Sequence, residues 1–328
     1  MTQATSPAAP AVATERLRDA LQALLAPRQI VALSRRPATY YSSFRMEELG
    51  LRLDDGTNFE LVFKDLSPGA LLHDARRCKP PFLLDPRREI AVYRHLLRPQ
   101  RLGPQFLGAV EDTAAGLYWL FVEKVDGAPL WQVGDLSLWR AAAAWAARTH
   151  ARVSGHGPAR AAQTNLIRYD ETYYRRWARW AAEQTAGREG DAELRTLWER
   201  YDHVVRRLTR LPVTFIHGEY HASNIVIRTT PREGERVCPV DWEMAALGPG
   251  VMDLADLTAG NWTDAERADM TAAYRDVTPR GWTEEDLDYC RLHRGVQWLG
   301  WSDDWTPPRE HAQDWRAEVV RLARKLGI

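Results

Sequence analysis

Three oxygen-bearing side chains that could hold a divalent cation lie in one stretch of the chain. Glu219, Asn224 and Asp241 each stand beside a short apolar run, and the pattern predicts strand, polar loop, strand, turn and strand. Strand ends would hold the three side chains on a rigid scaffold. Carboxylate and amide oxygens suit Mg²⁺, and a general base for a hydroxyl would sit beside such a metal. The stretch therefore predicts a magnesium site next to a proton-accepting group.

A different chemistry is also consistent with part of this stretch. His217, Glu219 and His221 alternate along the chain, so on a regular strand they would share one face. Two imidazoles and a carboxylate on one face can bind Zn²⁺ or another transition metal, which would indicate a metal-dependent hydrolase. Gly218 favours a loop instead, and a hydrolase would leave the Asp241 region unexplained. Both alternatives stay open at this stage.

The same stretch resembles the catalytic and metal loops of the aminoglycoside phosphotransferase and choline kinase family, which has the protein-kinase-like fold. The family pattern H-G-D-x-x-x-x-N corresponds to HGEYHASN at His217–Asn224. The metal loop corresponds to VDWE at Val240–Glu243, and the DLA that follows it to Asp253–Ala255. Glu219 stands where the family has its catalytic aspartate. Glutamate also accepts a proton but is one methylene longer, so a nucleotide-binding pseudokinase that serves as a scaffold is an alternative.

The resemblance implies roles for seven residues of these loops. Glu219 is the candidate catalytic base. The remaining roles are metal ligation by Asn224, Asp241 and Glu243, and structural support by His217, His221 and Asp253.

A lysine in the first half of the chain has a carboxylate that could pair with it. Lys64 lies near the end of the predicted strand Phe59–Leu66, and Glu89 lies in the predicted helix Pro86–Leu97. A lysine that ends an apolar strand can also simply extend its ammonium to solvent at a sheet edge. The resemblance implies instead that Glu89 holds Lys64 against nucleotide phosphates.

The remaining nucleotide contacts are also implied by the resemblance. The first hairpin has no G-x-G-x-x-G loop, and the hydroxyls of Ser42 and Ser43 could cover the phosphates there. Glu123 and Val125 end an apolar strand and would bind the adenine edge through their backbone, and the alternative is an ordinary edge strand before a turn. The expected cofactors are ATP or GTP together with Mg²⁺.

The order of the predicted elements indicates an α+β protein with two lobes. We expect a disordered segment at residues 1–12, a strand-rich nucleotide-binding lobe at 13–126, and a helical lobe with the catalytic and metal loops at 127–328. The segment Ser67–Asp85 is longer than a typical connection, and we expect a solvated loop, with a mobile flap that faces phosphate or substrate as the alternative.

Composition narrows the classes of partner. The chain has 328 residues, with 44 basic and 44 acidic residues, so no overall field favours nucleic acid or a membrane surface. Its three cysteines form no CxxC pair, and its N-terminus lacks the pattern of a signal peptide. We expect a cytoplasmic protein that acts on a small molecule, and its oligomeric state is not predicted.

Indoles and carboxylates near the end of the chain could form an acceptor pocket. Aromatic faces beside acids can hold a sugar or a cationic amine, and the residues concerned are Trp298, Trp301, Asp303 and Asp304. Tryptophan also serves as core filler. The sequence has neither a D-F-G nor an A-P-E motif, which disfavours a protein kinase. The expected function is γ-phosphoryl transfer to a hydroxyl of a sugar-containing or aminoglycoside-like acceptor.

Overall fold

The computed structural model describes residues 12–38, 43–154, 164–187, 191–279, 281–301 and 313–328. The chain forms two compact units. The first contains the described residues up to Lys79 together with Asp85–Val125, and the second contains Pro80–Leu84 and the described residues from Asp126 onward. Most of the segment expected to be disordered, residues 1–11, lies outside the described residues.

The first unit is built on a five-stranded antiparallel sheet. Its strands are β1 (Ile30–Pro37), β2 (Met46–Leu53), β3 (Asn58–Asp65), β4 (Phe106–Asp112) and β5 (Leu117–Glu123). The spatial order is β1-β2-β3-β5-β4, so β3 is the central strand. Helix α1 (Thr14–Leu25) covers the sheet with leucines at helical spacing, and Leu17 and Leu21 are completely buried.

The segment that was expected to be a solvated loop is instead divided into short helical elements. It contains a 3₁₀ turn at Pro68–Ala70, helix α2 (His73–Cys78) and a second 3₁₀ turn at Pro81–Leu83. Ala75 and Cys78 of α2 are buried. The prolines limit each element to one or two turns, which is too short to show a helical period in the sequence.

Helix α3 (Pro86–Val92) follows, with Pro86 at its first turn and the Asp85 carboxylate accepting from the Arg87 N–H at 2.9 Å. It continues as a π-helical turn at Tyr93–Leu97 and a short helix α4 (Arg98–Gln100). The buried face of α3 includes Glu89 and Ile90, so this helix presents a carboxylate inside the unit.

Two small sheets form the scaffold of the second unit. Their strands are β6 (Gly127–Pro129), β7 (Ile167–Arg168), β8 (Val213–Ile216), β9 (Ile225–Arg232), β10 (Glu235–Pro239) and β11 (Ala246–Pro249). One sheet has the order β10-β9-β6 and the other has the order β7-β11-β8. The predicted succession of strand, polar loop, strand, turn and strand corresponds to β8, β9 and β10.

Helices make up most of the rest of this unit. They are α5 (Leu136–Ser154), α6 (Glu171–Thr185), α7 (Asp191–Leu208), α8 (Val251–Leu257), α9 (Asp264–Arg275), α10 (Glu284–Leu299) and α11 (Trp315–Leu326). Every residue of α8 is buried, including two aspartates. A helix that is buried all round and carries charge must supply partners for those charges. None of the helices in the described ranges is long and apolar enough to cross a membrane.

Candidate active site

The hairpin of β9 and β10 brings two candidate metal ligands together. Ile225 pairs with Pro239 at the open end of the hairpin, and the N–H of the next residue, Val240, donates to the Asn224 carbonyl at 2.8 Å. Asn224 and Asp241 therefore lie next to each other, one just before β9 and the other just after β10. The Asn224 amide nitrogen donates to the Glu219 carbonyl at 3.1 Å, which leaves the amide oxygen as the atom that can face a cation.

His217 joins the catalytic loop to the metal loop. Its Nε2 donates to the Val240 carbonyl at 2.9 Å, and its Nδ1 accepts from the Glu219 N–H at 3.3 Å. The ring also packs on Trp242 at 4.4 Å between centroids. Both ring nitrogens are thus engaged in holding the loops. Among the described residues, no group of three or more His, Cys, Asp or Glu side chains could hold a metal ion, so the geometry gives no support to the hydrolase alternative.

Two backbone conformations in these loops are unusual. Gly218 has φ +84°, and a Cβ built on it would lie 2.2 Å from the Met244 carbonyl oxygen, so only glycine fits there. Asp241 has φ +62°, in the left-handed region that costs an ordinary residue about 1–2 kcal/mol. Such conformations persist only where the surroundings impose them, and they concentrate at functional sites. This geometry supports Asp241 as a site residue.

The candidate site residues are more exposed to solvent than the residues that pack around them. Glu219, Asn224, Asp241 and Glu243 are half-buried, whereas Tyr220, Trp242 and other neighbours are buried. Asn224 and Asp241, which the hairpin brings together, offer an amide and a carboxylate oxygen of the kind that Mg²⁺ binds while it keeps positions for phosphate and water.

Asp253 of α8 fixes the backbone before Glu219. Its Oδ2 accepts from the His217 N–H at 2.8 Å, and its Oδ1 accepts from the Gly218 N–H at 3.0 Å. His150 Nε2 lies 3.0 Å from Oδ2 and adds a third partner. Burial opposes the charged form of Asp253. The hydrogen bonds and positive charges of His150 and His217 outweigh this and hold the pKa of Asp253 below its ordinary value. Asp253 is therefore a buried carboxylate anchor.

Asp256 fixes the backbone after Glu219. It lies three residues beyond Asp253, on the same face of α8, and its Oδ2 accepts from the Tyr220 N–H at 3.2 Å. Its Oδ1 accepts from Arg294 Nε, and Arg294 Nη2 lies 3.5 Å from His221 Nε2. Burial raises the pKa of Asp256 to about 8, against the Arg294 charge, which lowers it. The N–H groups of Gly218 and Tyr220, the residues before and after Glu219, are thus both bound by carboxyl groups of α8.

Sequence reasoning missed Asp256 and Arg294. The spacing of three residues from Asp253, in a segment otherwise apolar, is a signal that could have indicated Asp256. Arg294 lies 38 residues beyond Asp256, and its role is visible only in the folded chain.

In the first unit, Lys64 and Glu89 form a buried ion pair. The Lys64 Nζ lies 2.8 Å from Oε1 and 3.0 Å from Oε2 of Glu89. The two side chains are only 9% and 2% exposed. The lysine comes from the central strand β3 and the glutamate from α3, so the pair joins the sheet to the helix.

The other predicted nucleotide contacts also lie in the first unit. Ser43 is buried, and its hydroxyl accepts from Lys79 Nζ at 3.2 Å. Glu123 is paired within the sheet, where its Oε2 accepts from the Gln105 N–H at 2.8 Å. Val125 is half-buried at the last residue of the unit. Ser42 lies outside the described residues.

The candidate acceptor residues belong to the second unit. Trp298 is half-buried, stacks on Trp315 at 5.0 Å, and lies 5.5 Å from the His221 ring of the catalytic loop. Trp301 is also half-buried. Asp303 and Asp304 lie outside the described residues. Trp298 therefore packs against the catalytic loop.

Comparison with known families decides the class. The model of the APH family, described as the phosphotransferase enzyme family, matches residues 51–287. The chain belongs to this family. It is a phosphotransferase, and the predicted family is confirmed. A comparison with curated protein sequences gives no significant match.

Solved structures confirm the protein-kinase-like α+β fold. Choline kinase LicA from Streptococcus pneumoniae has a TM-score of 0.61 and 12% identity, covering 95% of this chain and 98% of that one. The GDP complex of aminoglycoside 2'-phosphotransferase-IIIa has a TM-score of 0.57 and 15% identity, covering 90% and 93%. Macrolide 2'-phosphotransferase MphH from Brachybacterium faecium has a TM-score of 0.54 and 20% identity, covering 86% and 90%.

Proposed function

We propose that the protein is an ATP- or GTP-dependent kinase that transfers the γ-phosphoryl group to a hydroxyl of a small molecule. The observation that carries the proposal is the backbone clamp around Glu219: buried carboxylates bind the N–H groups on both sides of it, beside Asn224 and Asp241. Phosphoryl transfer needs positioning and charge neutralisation more than covalent chemistry, and a rigid carboxylate next to metal-binding oxygens supplies both.

Each site residue has a role in this proposal. Asp241 and Asn224 would hold Mg²⁺, with Glu243 in support, and the metal would neutralise charge on the phosphates. Lys64 also neutralises phosphate charge. Because Glu89 fixes its ammonium group, that charge is already positioned before the nucleotide binds. Ser42, Ser43, Glu123 and Val125 are the proposed further nucleotide contacts.

Glu219 accepts the proton of the acceptor hydroxyl or orients that hydroxyl. Its backbone is fixed on both sides, so the extra methylene relative to aspartate extends the carboxylate outward from a fixed base. The acceptor oxygen must then lie farther from the loop than an aspartate would require. Glu219→Asp should lower the turnover number while leaving nucleotide affinity unchanged, and equal rates for wild type, Glu219→Asp and Glu219→Ala would remove it from this role.

The acceptor class follows from the surface beside the catalytic loop. Trp298 offers an aromatic face next to His221, with Trp301, Asp303 and Asp304 close in sequence. Aromatic faces bind sugars and cationic amines. Three structurally similar proteins are named for action on choline, an aminoglycoside and a macrolide. We propose a sugar-containing or aminoglycoside-like acceptor.

Calorimetric titration of ATP and GTP, with and without Mg²⁺, tests the proposal. We expect binding that requires Mg²⁺ and weakens in Lys64→Ala and Asp241→Ala. Asp241→Ala should also lower turnover about 10³-fold, since it removes charge stabilisation of the reaction. The control is Asp269→Asn, at an exposed carboxylate of α9, which should behave as wild type.

Glu219 also motivates a second candidate function, a nucleotide-binding pseudokinase. Tight nucleotide binding that does not depend on Mg²⁺, with no phosphorylation of hydroxylated acceptors, would favour the pseudokinase over the kinase. No binding of either nucleotide would contradict both.

A further inference from the structure

A charged cavity lies in the second unit, between α9, α10 and α11. Its volume is about 90 Å³, well above the roughly 10–15 Å³ that one water molecule needs. The wall includes the segment that follows α8, which carries Thr258 and Gly260. Five cationic side chains also line it: Arg267, Arg291, Arg294, Arg321 and Lys325. A cavity of this size and composition can take a small polyatomic ion.

Two of the guanidinium groups converge on Thr258 from different helices. Arg267 of α9 donates from Nε to the Thr258 carbonyl at 3.3 Å, and Arg291 of α10 donates from Nη2 to the Thr258 hydroxyl at 3.1 Å. Arg291 is only 16% exposed. Burial lowers its pKa, Asp288 opposes that change, and the nearby Arg267 adds to it. Two like charges therefore lie near each other in a partly buried place, with one carboxylate, Asp288, beside Arg291, and an added anion would lower the remaining repulsion.

The hydrogen bonds of this pair leave donors for an anion. Arg267 directs one N–H from each of its three nitrogens to the backbone carbonyls of Thr258, Gly260 and Trp262, which carry no net charge, so two of its five N–H donors remain. Among the described residues, the buried Nε of Arg291 has no hydrogen-bond partner. This Nε has almost no accessible surface, so an anion in the cavity would bind the remaining Nη1 and Nη2 hydrogens of the two guanidinium groups.

The carboxylates of the wall do not cancel these charges. Asp288 is shared by Arg291 and Lys325, and Glu318 pairs with Arg321. The fifth cation, Arg294, is bound to Asp256. The remaining carboxylate, Asp264, stands exposed at the first residue of α9. The positive charge that remains in the cavity is therefore centred on Arg267, whose hydrogen bonds go only to uncharged carbonyls, with Arg291 and its partner Asp288 beside it.

We propose that this cavity binds a small oxyanion, a phosphate or sulfate group, between the guanidinium groups of Arg267 and Arg291. Arginine suits this task because its planar fork presents paired donors to two oxygens of the anion. The ligand is either the free ion or the anionic group of a larger metabolite whose remainder extends toward solvent.

Thermal unfolding and calorimetry with inorganic phosphate test the proposal, in the Lys64→Ala background so that the nucleotide site does not contribute. At constant ionic strength, set with chloride, we expect a saturable rise in Tm. Arg267→Gln and Arg291→Gln should each weaken phosphate binding about tenfold, since each removes a charged donor. In Arg291→Gln, Asp288 stays paired with Lys325, so we expect this variant to fold. It therefore tests the site even if Arg267→Gln does not fold.

The matched control is Arg275→Gln. Arg275 lies on the same helix as Arg267 but pairs with Glu284 and is absent from the cavity wall. This variant should bind phosphate as its parent does. Glycerol phosphate is titrated in parallel: binding of phosphate itself identifies the free ion, and binding of the monoester alone identifies a larger metabolite.

Two results would overturn the anion site. One is the absence of saturable binding of either compound. The other is binding that is equal in the parent, Arg267→Gln and Arg291→Gln. Neither result bears on the kinase proposal, because the loss of Lys64 already separates this site from nucleotide binding.

Discussion

The two units fix their candidate site residues in opposite ways. In the first, Lys64 is held side chain to side chain by Glu89, at 2.8 and 3.0 Å and almost completely buried. In the second, the backbone on both sides of Glu219 is held by Asp253 and Asp256, while the Glu219 side chain is half-buried. A residue that serves as a fixed charge is held by an opposite charge. A residue that must reach a substrate is held by its backbone.

The largest expected effect comes from the backbone clamp. Gly218→Ala should lower the free energy of unfolding by about 3–5 kcal/mol, because a left-handed φ and a clash with the Met244 carbonyl add together. Gly116→Ala, in the turn between β4 and β5 of the first unit, is the matched control. Gly116 has φ +64° with nothing within 4 Å of a Cβ, so it should lose only about 1–2 kcal/mol. Urea unfolding measures both, and equal losses would contradict the steric explanation.

Removing one partner of the ion pair in the first unit should cause a smaller loss of stability, and a second substitution should restore most of it. Lys64→Met should destabilise the protein by about 3 kcal/mol, because it leaves the Glu89 charge buried without this partner. The double variant Lys64→Met with Glu89→Leu should recover most of that stability but not nucleotide binding. A double-mutant cycle by urea unfolding, with calorimetry of ATP, checks both statements. A double variant as unstable as the sum of the single ones would show that the two side chains are not coupled.

The effect that is smallest per pH unit separates the two carboxyl groups of α8 by their pH dependence. The pKa of Asp256 is raised to about 8, so its stabilisation is complete below about pH 4 and is lost as the pH rises through 8. Its contribution to the slope between pH 5 and 8 is at most about 1.4 kcal/mol per pH unit. The pKa of Asp253 is lowered, so its stabilisation is complete above about pH 4 and is lost in acid.

Urea unfolding from pH 3 to 8 distinguishes these two behaviours. Asp256→Asn should remove the decline between pH 5 and 8 and keep the loss in acid. Asp253→Asn should do the reverse. Two variants with the same pH dependence would contradict the separate roles of the two carboxylates.

Local patterns in the sequence predicted the main elements that carry the site. The apolar runs around Glu219 and Asp241 predicted β8, β9 and β10, because strand length and turn residues are local properties. Pro86 and the apolar spacing after it predicted the helix that begins as α3 for the same reason. The confirmed family also rests on these loops, where the motif is continuous along the chain.

Features that depend on distant residues were not predicted. The segment around α2 is divided by prolines into elements that are too short for a period. Asp256 and Arg294 act through partners 36 to 73 positions away, which no local pattern encodes. The cavity proposed to bind an anion is lined by three helices that come together only in the folded chain.

These long separations along the sequence have a consequence for synthesis on the ribosome. His217 and Tyr220 bind carboxylates 36 residues farther along, and His221 faces a guanidinium 73 residues farther along. The catalytic loop therefore leaves the ribosome before the helix that anchors it, and well before Arg294. Until α10 has been translated, a nascent chain carries Asp256 without the cation that pairs with it in the folded protein. The loop should acquire its final geometry only late in translation, so chains truncated before Arg294 are the ones we expect chaperones and proteases to recognise.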